Sequence, residues 1–251
     1  MKNRLPVFLL AIVSSLSLTF AAPLEQTATI TLQQGLDGYQ GVEDTWICDA
    51  YRPERGKIDS NLSFGGTPEL AIFERGPASD NARTLIRFDL SGIKGKIVGA
   101  ELVLTKSAQS PNGDNFLDQS IFLYRVSDAN KDWEAGNKNH SQLNGAAVWN
   151  LKADPSTPWA GEAGLASTGV DYVEQAIALA QTGTELNAPV VFSFEEVDFL
   201  NEWAQKPELN AGFLLKQVNH FQGGKDRFYS SNCAMDLQSY RPKLILTVSP
   251  P

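Results

Sequence analysis

Between residues 80 and 106 the chain is committed to extended structure, and that stretch constrains everything around it. In residues 80–90, DNARTLIRFDL, Ile86, Phe88 and Leu90 fall on one side of an extended chain and Leu85, Arg87 and Asp89 on the other. A period of two marks a strand with one face in a core. Residues 91–96 read as a Gly-containing turn and residues 97–106, IVGAELVLTK, as a second strand, so a β-hairpin is expected. The polar side places Arg87 and Asp89 two residues apart, where they share a neighbour or form a solvated pair worth about 0–1 kcal/mol.

The same alternation recurs along the chain. Strands are expected at 27–33, from Asp44 onward, and at 69–74, 121–126 and 190–194, and residues 210–216 turn back into a further strand. The loop at 107–119 is rich in Ser, Pro, Asn, Gly and Asp and belongs at the surface. Two segments carry helical spacing. In residues 172–181, Val173, Ile177 and Ala180 share a face, with Asp171 to cap the start and Gly183 the end. In residues 197–204, Val197, Leu200, Asn201 and Ala204 do the same, with Glu195 and Glu196 at the favourable N-terminal end. About ten short strands with few helices imply an all-β fold, a single jelly-roll-like antiparallel β-sandwich with one or two short helices.

The first 21 residues read as a secretory signal peptide. Lys2 and Arg4 precede an uncharged apolar run at 7–18, and Thr19-Phe20-Ala21 supplies small residues at the two positions that matter for cleavage. No other stretch approaches the roughly 18 apolar residues of a membrane span, so residues 22–251 are expected to be one domain outside the cytoplasm, without membrane insertion. Removing Lys2 and Arg4 from 21 basic residues leaves 19 against 29 acidic ones, a net charge near −10. That balance argues against nucleic acid as a partner and against a polybasic membrane anchor. Cys48 and Cys233 form a natural disulfide pair in an oxidising compartment, the alternative being two buried free thiols. Such a bond would close a very long loop, worth about 4–5 kcal/mol in the chain-entropy picture.

Several segments resemble one family. LIRFDLSGIKGKIVGAELVLTK is similar to the signature hairpin of the DNRLRE-domain proteins, which include disaggregatase-like domains and carbohydrate-binding module family 96. A Gly-rich turn leading into Asp44-Thr45-Trp46-Ile47 resembles the family's opening motif, and Asp132, Trp133 and Gly136 resemble its Asp-Trp-x-x-Gly segment. Trp149 and the Pro158-Trp159 pair sit where the family has a Trp-Asn segment and a Pro-Trp turn. A short helix with Trp203 precedes Asn210-Ala211-Gly212-Phe213, and the chain closes on an Arg241-Pro242-Lys243-Leu244 strand of the family's kind. The chain departs from the pattern at residues 51–66, where the usual Asn-Tyr-Gly is missing, and at 161–164, where Gly-Glu-Ala-Gly replaces Gly-Gly-Asp.

The resemblance implies noncatalytic binding of a polysaccharide, alginate-like for some members. A sugar presents an apolar face to an aromatic ring and hydroxyls to polar side chains, so the expected site is an exposed aromatic beside charged or amide groups. The ligand-binding candidates are Tyr51 with Arg52 and Arg55, Trp159, Phe221 with Lys225 and Arg227, and Tyr229. Trp133 beside Asp132 is a further aromatic of this kind, although its motif position points to packing. Extracellular β-sandwiches of this type often hold a structural calcium ion in a shell of six to eight oxygens, and Asp44, Asp226 and Asn232 are the candidates.

Catalytic signatures are absent: no G-x-S-x-G, H-E-x-x-H, P-loop or dinucleotide turn occurs. Glu195 and Glu196 are adjacent at a strand end and point to opposite faces, so they do not flank one glycosidic bond. His140 and His220 lie in polar loop contexts and read as surface histidines. A polysaccharide lyase built on Tyr229 and Arg227, and a structural or adhesive surface protein, are the alternatives.

Overall fold

The computed structural model describes residues 26–52, 57–75, 80–108, 118–142, 144–153, 155–217 and 224–250. The signal segment, Arg55 and Phe221 lie outside the described residues. Along the chain the strands are β1 (Ala28–Gln33), β2 (Val42–Cys48), β3 (Tyr51–Arg52), β4 (Lys57–Ile58), β5 (Glu69–Glu74), β6 (Asn81–Phe88) and β7 (Lys96–Thr105). There follow β8 (Ser120–Arg125), β9 (Leu151–Ala153), β10 (Thr157–Pro158), β11 (Ala178–Gln181) and β12 (Pro189–Ser193). Helix α1 (Asp198–Gln205) precedes β13 (Phe213–Gln217), β14 (Asp226–Tyr229) and β15 (Lys243–Ser249).

The fold is an all-β sandwich. One antiparallel sheet runs β1-β15-β7-β12; the larger runs β11-β8-β13-β6-β5-β14, with β2 also paired to β6. Alternation decides which side chains meet between them. Leu102, Leu104, Phe192, Leu244 and Leu246 of the smaller sheet join one buried cluster with Ile86, Phe88, Ile121, Leu123, Phe213 and Leu215 of the larger. Each such side chain, fully buried, contributes about 1.5–3 kcal/mol. Helix α1 adds Phe199, Leu200 and Trp203 to the same core, with Phe199 and Trp203 set against Phe213.

Strands β6 and β7 do not form the expected hairpin. β6 pairs with β13, β2 and β5 in the larger sheet, whereas β7 pairs with β15 and β12 in the smaller. The turn at 91–95 is therefore a corner between layers, which lets both strands direct apolar faces into one core. The polar side of β6 is also covered. Arg87 pairs with Glu43 across the strand pair, and its guanidinium also donates to the carbonyls of Lys131 (2.8 Å), Trp133 (3.1 Å) and Asn210 (3.3 Å). A carboxylate directly opposite on β2 outcompetes Asp89, two residues away on the same strand.

The expected helix at 172–181 is likewise replaced. Ala178 and Ala180 point inward and Leu179 and Gln181 outward along β11, which adds to the edge of β8. Asp171 caps no helix. Cys48 and Cys233 are both buried and do not form the expected disulfide. Cys233 points its thiol at the Leu237 carbonyl, 3.5 Å away, within its own loop, and burial pushes that thiol up.

Candidate functional site

Residues 127–176 leave the sandwich after β8 and return to cover part of the larger sheet's outer face. Trp133, Ala147, Trp149, Trp159, Leu165 and Tyr172 from this excursion form a second apolar cluster with Ile47, Leu85 and Leu214 from the strands. Its polar edges are satisfied internally. The indole N–H of Trp133 donates to Ala211 O (2.8 Å), and that of Trp159 to the carbonyls of Val148 and Trp149. The Arg83 guanidinium lies over the Trp149 ring at 5.1 Å, pairs with Glu74 at 2.7 Å, and donates to Gly164 O at 2.5 Å. Gly164 has φ +74°, and a Cβ there would meet Trp149 at 2.4 Å, so the lid closes only over glycine.

The excursion stops short of the β11 edge. There the register sets Leu179 opposite Phe122 and Phe122 opposite Lys216, placing all three on one face. Tyr124, two residues from Phe122, shares that face, with the two rings 5.6 Å apart. Tyr172 packs beneath, 4.7 Å from the Tyr124 ring and 5.3 Å from the Lys216 ammonium. Leu179 is 53 % exposed, and Phe122, Tyr124 and Lys216 are half-buried. The exposed Gln181, bonded to Ser120, flanks this aromatic shelf.

Electrostatics single out Lys216. Burial, with the Arg83 guanidinium nearby, lowers it from 10.5 to about 8, while Glu74 opposes the shift. Burial and the neighbouring Tyr172 raise Tyr124. Among the described residues, neither the Lys216 ammonium, which lies over the Tyr172 ring, nor the Tyr124 hydroxyl has a hydrogen-bond acceptor.

The residues expected to bind ligand are not those that converge here. Trp159 is 3 % exposed and packs within the lid; Trp133 is fully buried. Tyr229 is buried, stacked on Tyr240 at 5.1 Å and donating to Asn187. Arg227 lies over the Trp46 ring at 5.3 Å and Lys225 over Phe73 at 5.1 Å. Tyr51 and Arg52 form the short ribbon β3–β4. His140 is half-buried, with its ring edge-on to Phe64 at 4.8 Å and its imidazole bonded to Asn139. Phe122 and Tyr124 were legible as alternate residues of IFLYRV, but which strand face stays open depends on where the excursion ends.

The residues expected to hold calcium are engaged by groups of the protein itself. Asp44 accepts from the Ser231 amide (2.7 Å) and hydroxyl (2.9 Å), and Asp226 faces the Lys106 ammonium at 3.1 Å. Asn232 turns its amide nitrogen to Gly65 O (2.8 Å). Protein donors thus occupy the Asp44 and Asp226 carboxylates, and among the described residues no group of three or more His, Cys, Asp or Glu could hold a metal.

Burial raises Asp44 from 3.8 to about 6, against the Ser231 hydrogen bonds and the charge of Arg241. A raised carboxylate stabilises the fold fully below its unfolded value near 4, and that contribution is lost as pH climbs through 6. Asp44→Asn keeps the acceptor for the amide and offers a donor to the hydroxyl. It is expected to exceed the parent in stability by roughly 1–3 kcal/mol at pH 8, with no gap below pH 4. Urea unfolding across that range checks it.

An antiparallel sandwich with an open aromatic shelf on one sheet face is the class of protein that the fold and site define. The chain matches no family model and no curated protein.

Proposed function

We propose that the protein is a secreted, noncatalytic binder of an extracellular or cell-wall polysaccharide, of the DNRLRE and carbohydrate-binding module family 96 kind. The observation that carries this reading is the shelf: Phe122 and Tyr124 side by side on an open sheet face, with the half-buried Lys216 next to them, its ammonium over the Tyr172 ring. Aromatic faces take the C–H surface of a sugar ring, and an ammonium beside them favours a carboxylated unit, so an acidic, alginate-like chain is the preferred ligand class. Shelf residues on three neighbouring strands suit an extended chain lying across the sheet.

Affinity electrophoresis of the mature protein against alginate, pectin, cellulose and chitin, with calcium and with chelator, tests the reading. Ultraviolet absorbance is followed in parallel for the unsaturated ends a lyase leaves. Retardation without new absorbance is expected. Phe122→Ala should weaken it roughly tenfold, as loss of one stacked ring implies. Retardation by an acidic glycan should also fade between pH 7 and 9 as Lys216 loses its proton, while a neutral glycan shows no such loss. Rising absorbance would make the protein a lyase. Silence on every glycan would leave the structural or adhesive reading.

A further inference from the structure

A second concavity lies on the same sheet, at the opposite end from the shelf. It encloses about 370 Å³, at the small end of ligand pockets (roughly 300–1,000 Å³). Gln40, Glu43, Arg87, Asp89, Pro207 and Asn210 line it. Gly41 forms part of the wall, and a Cβ there would fall 2.7 Å from the Asp89 Cβ, so glycine lets this wall pack closely against Asp89.

The open hydrogen-bonding capacity of the cleft is specific. Arg87 is spent: its guanidinium serves Glu43 and three backbone carbonyls and lies over the Trp133 ring at 4.8 Å. Asn210 is spent as well, donating to Phe88 O (2.8 Å) and accepting from the Gly212 amide (3.1 Å). These two make a rigid floor. What remains are acceptors: Glu43, whose side chain is 50 % exposed, and Asp89, which is exposed and uses one oxygen on the Ser91 amide (2.9 Å). The Gln40 carboxamide oxygen is bonded to Gln34, leaving its nitrogen as a donor. Pro207 contributes an apolar wall.

Two carboxylates against one guanidinium leave the cleft negative, which repels an anion, and the committed Arg87 offers no compensating contact. Exposed acceptors on a rigid floor beside a C–H wall suit a neutral ring whose adjacent hydroxyls donate. We propose that this cleft is a second saccharide site, taking one or two neutral sugar rings through hydroxyl donation to Glu43 and Asp89 with the ring face on Pro207. Its ligand preference is the reverse of the shelf's, and it does not depend on the shelf.

The test is an amide-resolved NMR titration of the mature protein with methyl glucoside, cellobiose, chitobiose, glucuronate, arginine methyl ester and calcium chloride. Shifts at Gly41, Glu43 and Asn210 with at least one neutral sugar are expected. Asp89→Asn, which keeps the oxygen that caps Ser91, should weaken them roughly tenfold with the rest of the spectrum unmoved. Phe122→Ala should leave these shifts intact, so failure of the shelf and failure of the cleft are separately visible. No cleft shift with any neutral sugar overturns the proposal, as does tighter binding of glucuronate. Shifts with only the arginine ester or calcium overturn it too, marking a cation site.

Discussion

Replacing Lys106 with methionine is expected to destabilise the protein by about 3–5 kcal/mol, because it strands a buried carboxylate. Lys106 and Asp226 are both buried, with the ammonium 3.1 Å from the carboxylate and also donating to Gly183 O at 2.6 Å. Burial already raises Asp226 against the opposing pull of Lys106 and Gln217. Without Lys106 that carboxyl climbs further, so the variant should lose most stability at neutral pH and regain part as acid protonates Asp226. Lys106→Met combined with Asp226→Asn should recover much of the loss, since neutral partners carry no uncompensated charge. Urea midpoints of the single and double variants at pH 5 and pH 7.5 decide it. Equal losses in both variants at both pH values would show that Lys106 acts through packing alone.

Asp171→Ala should act on the lid rather than the sandwich. The buried Asp171 carboxylate accepts four bonds, from Asn130 Nδ2 (3.0 Å) and the amides of Gly161 (2.8 Å), Glu162 (2.9 Å) and Ser167 (2.9 Å). It ties together both halves of the excursion. Each orphaned donor costs about 1–3 kcal/mol while it stays buried, and relaxation of the loop toward water recovers part, so a net loss near 3–5 kcal/mol is expected. Hydrogen exchange should rise first across residues 127–176, with β7 and β15 still protected. Polysaccharide retardation should fall with it, because Tyr172, which adjoins Asp171, supports the shelf. Uniform loss of protection across both sheets would mean that the lid and sandwich unfold as one unit.

The layout of strands was legible in the sequence wherever one face met water. β8, β12 and β15 alternate cleanly, and their positions follow from that. β6 misled because both faces are buried: Leu85 packs under the lid while Ile86 enters the core, and Arg83 and Arg87 are polar without being solvated. Its partnership with β13, more than a hundred residues away, leaves no local trace. β11 misled for another reason, since four residues of ALAQ fit either period. The candidate site was less legible still. The conspicuous aromatics, Trp133 and Trp159, are consumed by the lid that an all-β sheet face needs when it carries Leu85 and Leu214 outward. The shelf is formed by plainer residues that this lid leaves bare, and openness of that sort is a property of the chain's path.

One consequence of the lid reaches the optical spectroscopy of the protein. All five tryptophans, Trp46, Trp133, Trp149, Trp159 and Trp203, are buried, none more than 9 % exposed. Their emission should sit at short wavelength and resist aqueous quenchers, and neither the shelf nor the cleft has an indole in its lining. A ligand titration followed by intrinsic fluorescence would therefore stay flat whether or not a glycan binds, while the same signal would report faithfully on the lid coming away from the sheet.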